Sequence, residues 1–575
     1  MTITTAKLAQ AVAHAYARPL AVPLALSALL LAQAGRAAEL PTAAPVPPLT
    51  PATPLPGATD TGLETWAPQS GRAVPTASFP LAAPPPRIPH FFTPTLDLRQ
   101  SYSDNVALRP DGLERGSFVS EIAPGFRVRH KGPRLSLNGV YEFHYYKMSD
   151  SDIPGTRRSS RLLRADSKAA LVDQLLYMDA TAGIQNQSIS AFAQTRSGSP
   201  YTTANQTEVR SWRISPYLVH RFGSTASAEL RYARDAVDSG NSGLGNTDGD
   251  SLSMRINSGP RYQKLSWNLS ASQQEIKDTV RNDSTIKTAN LGLGYQLGHT
   301  FNLLAGVGYD DYDYQALGGA TAGRAWNVGL GWTPSRRTSI QATLGHRYYG
   351  PSRTLDATHR SRRTVWSIKY DDSVSTTRAN FLIPSAVDTA VLLDSLFLST
   401  FPDPAERARA VEAYIRAAGL PPAIADNINF FSNRYMLQKQ LRATMAFRGA
   451  RSGAVVSLFH LRRDALSVRA TDSELLGSSL NTINDNVKQA GIETQLSYRL
   501  SGRTNLNLVA NVTNNESLTT ALQTRNHTLR LNANHQLGAR MVGTVELRHI
   551  RGNASVQVDN PYTENAVAAS ISMQL

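Results

Sequence analysis

Arginine side chains recur at positions that alternate with apolar residues along much of the chain, and they are the residues best suited to bind a ligand. Fewer carboxylates occupy positions of this kind. A cavity lined by this set would favour anionic solutes, as rings of arginine do in anion pores. The candidate lining residues are Arg99, Arg127, Arg129, Arg213, Arg231, Arg255, Arg442, Arg499, Arg530 and Arg548, together with Asp97, Glu142, Glu229, Glu493 and Glu546.

Catalytic chemistry is not indicated by the sequence. The chain has no cysteine, which excludes disulfides, thiolate metal sites and thiol nucleophiles. It contains no G-x-S-x-G, H-E-x-x-H or P-loop motif. Histidines occur singly on predicted strands, and acidic pairs such as Asp310-Asp311 lie near strand ends, where we expect them to be solvated. We therefore expect no enzymatic activity, no cofactor and no resident metal.

The elements that must position the arginines are β-strands. Leu291 to Leu297 and Phe301 to Tyr309 each alternate apolar with small or polar residues, and Gly298-His299 lies in the short link between them. A period of two is typical of a strand, and two such runs across a tight link predict an antiparallel hairpin. The pattern recurs from about Thr93 to Leu575 with one interruption, so the sequence predicts a large antiparallel sheet.

The links between the predicted strands alternate in length. Tight links such as Phe222-Gly223-Ser224 are followed by long polar loops, for example 188–205 and 470–485. One short rim and one long rim are typical of outer-membrane barrels, as are tyrosines near strand ends such as Tyr145-Tyr146. We predict an all-β fold: a closed antiparallel transmembrane β-barrel of about 22 strands (20–22) in the outer membrane of a Gram-negative bacterium, with residues 470–485 at the cell surface.

The N-terminal region has two parts. Residues 1–38 carry Lys7 and Arg18 before an apolar run, which predicts a signal peptide cleaved after Ala34 or Ala38. Residues 39–92 are rich in proline and alanine and predict a periplasmic linker without a core of its own. This segment is too short and too proline-rich to be a folded plug domain, which disfavours a TonB-type receptor. The barrel is expected to occupy residues 93–575.

The interruption, residues 372–433, has helical rather than strand spacing. Asp403-Pro404-Ala405-Glu406 is a helix N-terminal signal, and Gly419 ends the helix that follows. Counting membrane crossings predicts that this insert changes sides of the barrel, either as an extra strand or by threading the lumen. A helical cap outside the pore fits the spacing equally well. The candidate plug residues are Val411, Tyr414, Ile415, Arg407 and Arg416.

Several segments resemble one known family. They are T-L-D-L-R-Q-S-Y-S-D-N-V (95–106), E-I-A-P-G-F-R-V (121–128), F-L-I-P-S-A-V-D-T-A-V-L-L-D-S-L-F (381–397) and N-F-F-S-N-R-Y-M-L-Q-K (429–439). Together they resemble the PEP-CTERM/exosortase-system-associated outer-membrane barrel family, over roughly Thr95 to Leu575. The resemblance implies a link to exopolysaccharide production and export, and it assigns no functional residue.

Two functional hypotheses follow. The first is a non-enzymatic outer-membrane barrel associated with exopolysaccharide production or export, a gated pore with the insert as its plug. The alternative is a sealed structural or assembly barrel with no transport activity. The formal net charge is +15, but no nucleic-acid-binding motif accompanies it. The expected partners are outer-membrane lipid and lipopolysaccharide, with anionic polysaccharide and periplasmic export components as further candidates.

Overall fold

The computed structural model describes the barrel and part of its links. The described residues are 91–150, 152–192, 201, 203, 205–239, 246–279, 283–376, 378, 382, 434–468, 485–554 and 560–575. The predicted signal peptide, nearly all of the linker and most of the insert lie outside these residues and stay predictions. Within the described part of the chain, no helix is long and apolar enough to cross a bilayer.

The alternating sequence forms 22 strands in one sheet. Their bounds are β1 Phe92–Ser103, β2 Ser117–Lys131, β3 Leu135–Met148, β4 Ser159–Val172, β5 Leu176–Ser188, β6 Gln206–Phe222, β7 Ala226–Ser239, β8 Thr247–Ser258, β9 Leu265–Asp278, β10 Ser284–Leu297, β11 Phe301–Asp313, β12 Ala322–Ser335, β13 Thr338–Arg347, β14 Gly350–Arg360, β15 Thr364–Ser375, β16 Met436–Arg448, β17 Ser452–Ala465, β18 Asn486–Arg499, β19 Thr504–Ser517, β20 Gln523–Gln536, β21 Met541–Ala554 and β22 Asn560–Gln574. Each strand is antiparallel to the next, and β22 pairs with β1, with Ile571 opposite Leu98. The predicted closed barrel of about 22 strands is confirmed.

The alternation gives the barrel an apolar outer face. On β10 and β11, Leu291, Leu293, Leu303 and Val307 point outward with 40–60% of their surface exposed. Such ladders recur around the sheet, and water contact would cost about 25 cal/mol for each Å² of apolar surface. Contact with lipid removes this cost, and closure of the barrel leaves no unpaired strand edge in the bilayer. The protein is an outer-membrane β-barrel.

Exposed aromatic residues mark both edges of the apolar band. Tyr102, Tyr145 and Tyr309 lie toward one rim, and Tyr295 and Tyr498 lie toward the other. These positions correspond to the two interfacial girdles of outer-membrane barrels. The short-link rim, where β1 begins, is the periplasmic side in such barrels, and the long-link rim is the cell surface.

The insert does not change sides, so the prediction that it does was wrong. β15 and β16 are antiparallel neighbours, with Ser375 opposite Met436, and the insert leaves and returns at the long-link rim. The described strands already number 22, so the even count does not need a strand from the insert. The link between β13 and β14 is only Tyr348-Tyr349, although this link lies at the long-link rim.

Candidate functional site

The candidate site is the barrel interior. The strand register places the predicted lining residues on the face opposite the lipid-facing leucines. These residues are Arg99, Arg127, Arg129, Arg213, Arg231, Arg442, Arg499, Arg530, Glu493 and Glu546. The candidate plug residues Val411, Tyr414, Ile415, Arg407 and Arg416 lie outside the described residues.

Arginines near the periplasmic rim are exposed inside the barrel. We call Arg127, Arg221 and Arg499, on β2, β6 and β18, the periplasmic arginine belt. Each is an exposed residue with inward strand parity. The acidic residues Asp97 and Glu142 interact electrostatically with Arg127. The belt presents guanidinium groups to the water at the periplasmic entrance.

Arg231 faces inward, but carboxylates neutralise it. Its Nη1 donates to Asp179 Oδ2 at 2.9 Å and its Nε donates to Glu229 Oε1 at 2.9 Å. The guanidinium carbon lies 3.8 Å from the centre of the Tyr217 ring. Alternation could place Arg231 on the inner face, but it could not reveal the buried Asp179 on β5. Arg231 therefore holds the wall together and adds little charge to the lumen.

A network of charges crosses the seam where β22 meets β1. Arg99 Nη2 on β1 reaches Glu546 Oε1 on β21 at 2.9 Å, across the inner face of the intervening strand β22. Arg548 Nη2 contacts Glu564 Oε1 at 2.8 Å, and the side chains of this pair are only 2% and 0% exposed. Arg530 Nε lies 4.0 Å from Glu546 Oε2. We call these five residues the seam network.

The link between β5 and β6 folds into the barrel. The Tyr201 hydroxyl lies 2.9 Å from Ser101 Oγ on β1, and Tyr201 has no exposed surface. This burial raises the pKa of the Tyr201 hydroxyl, so it stays protonated. On the other side of the link, Asn515 Nδ2 on β19 donates to the Ala191 carbonyl at 2.8 Å. One link from β5 and β6 thus contacts β1 and β19, and it narrows the lumen near the long-link rim.

Both ends of the insert are held by buried ion pairs. Arg378, three residues after β15, contacts Asp235 on the inner face of β7, and its Nε donates to Thr247 Oγ1 on β8. At the other end, Arg434 pairs with Asp485 and is 2% exposed. The insert therefore begins inside the barrel, against β7 and β8, which are eight and seven strands away from β15 along the sheet. Sequence reasoning missed these anchors because no local pattern connects positions so far apart.

Aromatic residues fill another part of the interior near the long-link rim. Ile286, Tyr312 and Tyr435 belong to one buried cluster, and the Tyr314 ring stacks on Tyr435 with centroids 4.6 Å apart. Nearby, Asp310 is fully buried and accepts two hydrogen bonds from Arg347, at 2.6 and 2.8 Å. The expectation that Asp310 is solvated was wrong, because inward parity places it under this cluster rather than on the rim.

A substitution at Gly249 tests whether the Arg378–Asp235 ion pair anchors the insert. Gly249 faces Asp235 across the β7–β8 pair, and a Cβ at Gly249 would collide with the Arg378 guanidinium. We expect Gly249→Ala to displace Arg378 and to make open events in planar bilayers about tenfold more frequent, because a lost buried ion pair costs more than 1.4 kcal/mol. Gly183→Ala, whose Cβ would meet Ser211 Oγ at 3.3 Å and the Leu163 carbonyl oxygen at 3.7 Å, is the matched control. Equal open frequencies in both variants would contradict the anchor role.

Comparisons with known proteins identify no family for this chain. No protein-family model matches the chain, and no curated protein matches it. Among solved structures, the FrpB iron transporter from Neisseria meningitidis is 9% identical, over 84% of this chain and 81% of that one, with a TM-score of 0.46. The siderophore receptor PirA from Acinetobacter baumannii is 7% identical, over 85% and 81%, with a TM-score of 0.44. PirA from Pseudomonas aeruginosa is 8% identical, over 84% and 80%, with a TM-score of 0.42.

Proposed function

We propose that the protein is a gated outer-membrane pore, associated with exopolysaccharide production or export, that passes an anionic extracellular polymer. The observation that supports this proposal most is the difference between exposed arginines at one end of the lumen and arginines paired with carboxylates elsewhere in it. Arginines of the periplasmic belt are exposed, whereas Arg231, Arg347 and Arg548 are bound to carboxylates nearer the other rim or along the wall. A polymer with carboxylate groups entering from the periplasm meets guanidinium groups first. Rings of this kind favour anions in other pores.

The gate in this proposal is the insert, and the β5–β6 link narrows the lumen beside it. Arg378 and Arg434 fix its two ends in buried ion pairs, and the Arg378 pair lies on the inner face of β7. A barrel of 22 strands leaves a wide lumen unless something fills it. Passage therefore requires these anchors to release, and the periplasmic belt supplies a binding region for the polymer while the gate is closed.

The belt makes a measurable difference to selectivity. We expect the triple variant Arg127→Gln, Arg221→Gln, Arg499→Gln, in the Gly249→Ala background, to shift the reversal potential in a salt gradient away from anion preference. In a deletion strain, the same triple in the parent chain should restore polymer secretion several-fold less well than the parent. The matched control removes three cations from the outer face, Arg234→Gln, Lys277→Gln and Lys287→Gln. Unchanged selectivity of the belt variant, or normal secretion by the deletion strain itself, would contradict the proposal.

The alternative is a sealed structural barrel. The aromatic cluster and the buried ion pairs near the long-link rim favour it, because they fill interior space with fixed contacts. Bilayer conductance separates the two functions. A sealed scaffold stays silent in the Gly249→Ala variant and after the insert is replaced, whereas a gated pore conducts.

A further inference from the structure

On the outward face of the consecutive strands β16 to β21, five of the six strands carry basic side chains just beyond the apolar band on the cell-surface side, and the sixth, β19, carries Glu516 there. We call Lys439, Arg462, Lys488, Arg525 and Arg551 the outer basic patch; His527 and His549 lie beside its last two members. On β20 the outward sequence runs Arg525, His527, Leu529, and on β21 it runs Arg551, His549, Leu547. Leu529 and Leu547 are 46% and 51% exposed, as expected for side chains in lipid.

The patch residues share one depth in the membrane. Lys439 lies opposite Arg462, and Arg462 lies opposite Lys488. On β20 and β21, His527 lies opposite Arg551, and this pair lies two outward positions closer to the periplasm than the row that contains Lys439, Arg462 and Lys488. The border between charged and apolar outward residues thus moves stepwise along the register, as it must when tilted strands cross a flat bilayer surface. The patch therefore lies where lipid headgroups meet the barrel.

Carboxylates offset only part of this charge. Arg462 pairs with Asp464 at 2.9 Å, and Lys488 pairs with Glu516 at 3.2 Å. The Arg525 side chain donates from Nε to an amide oxygen, Asn514 Oδ1, at 2.8 Å. His527 also lies within the electrostatic influence of Arg525, Arg551 and His549. Like charges held together at a surface destabilise the fold unless a counter-charge is present.

The opposite wall of the barrel differs at the same depth. On β7 to β11 the outward residues include Arg234, Lys277 and Lys287, but acids accompany them. These acids are Asp238, Asp248, Asp250, Glu275, Asp311 and Asp313. The positive excess is therefore a local property of β16 to β21 and does not follow from the basic composition of the whole chain.

We propose that the outer basic patch binds the phosphate groups of phosphorylated glycolipid in the outward-facing leaflet. Guanidinium groups match phosphate oxygens in pairs, and lysine supplies a point charge for the same group. Leu441, Leu529 and Leu547 are the first or second outward residues on the periplasmic side of the patch, and they contact acyl chains of the same lipid. The barrel surface thus offers contacts for both the charged headgroup and the acyl chains of an amphipathic ligand. A soluble polyanion or an acidic protein would need only the basic residues.

The test uses lipid A with two phosphates, the same lipid dephosphorylated, and the purified full-length protein in neutral detergent. Native mass spectrometry counts the bound lipids. We expect the variant Lys488→Gln, Arg525→Gln, Arg551→Gln to bind the phosphorylated lipid about 100-fold more weakly, since each surface cation near an anionic leaflet strengthens binding roughly fivefold. The matched control Arg234→Gln, Lys277→Gln, Lys287→Gln should keep parental binding. The parent should bind dephosphorylated lipid A weakly.

Any one of the following outcomes overturns the proposal. The patch variant binds as the parent does, the control loses as much binding as the patch variant, or the dephosphorylated lipid binds as tightly as the phosphorylated one. Displacement of the lipid by low millimolar inorganic phosphate would also overturn it, because it would show a bare anion site. Heat-shifted mobility on gels confirms that every variant is a folded barrel before binding is measured.

Discussion

Replacing residues 385–425 with a flexible Gly/Ser linker of the same length should turn the purified protein into an open channel and sensitise cells to large antibiotics. Closure of the barrel rests on strand pairing around the whole sheet, so the variant should fold. A wide barrel without its filling conducts. Because Arg378 and Arg434 remain, the ends of the new linker keep their ion pairs. Planar-bilayer conductance and antibiotic susceptibility measure the two effects.

The control for this replacement exchanges residues 470–480, in the link between β17 and β18, for a Gly/Ser sequence of equal length. That link lies at the same rim and leaves the insert intact, so conductance should stay at the parental level. If the insert replacement reaches the outer membrane, folds and conducts no more than the parent, the insert does not occlude the pore. The gate must then be assigned to the β5–β6 link or abandoned.

Arg548→Met should destabilise the barrel by about 3–5 kcal/mol, the cost of leaving one member of a buried ion pair without its partner. Glu564 has no exposed side-chain surface, and it also accepts a hydrogen bond from Ser103 Oγ at 2.6 Å. The double variant Arg548→Met, Glu564→Gln should recover most of the loss, because no buried charge is then uncompensated. Urea unfolding followed by tryptophan fluorescence measures each change.

Arg161→Met is the matched control for this prediction. Arg161 pairs with Glu208 at 2.8 Å on the outer face, where their side chains are 41% and 20% exposed. Exposed pairs of this kind contribute about 1 kcal/mol or less. Equal losses from Arg161→Met and Arg548→Met would show that burial of the seam network does not determine its contribution.

Strand alternation predicts much of this fold because each outward leucine fixes the direction of the residue beside it. The same parity places Arg127 and Arg499 on the inner face without any knowledge of their surroundings. Link length fails as a guide to the rim where a tight link lies at the long-link rim, as Tyr348-Tyr349 does between β13 and β14. Alternation also cannot report contacts across the lumen. Asp235 and Arg378 are 143 positions apart, and only the closed barrel brings them together.

The seam network has a consequence for the lifetime of the barrel. Every other pair of neighbouring strands is consecutive along the chain, whereas β1 and β22 join its distant ends, and pairing of such separated segments is the slowest to form. The Arg99–Glu546 contact across β22 exists only once that pairing is complete. Interactions made after the rate-limiting barrier leave the folding rate unchanged and slow unfolding instead. The network therefore lowers the unfolding rate of the inserted barrel more than it raises the rate of insertion.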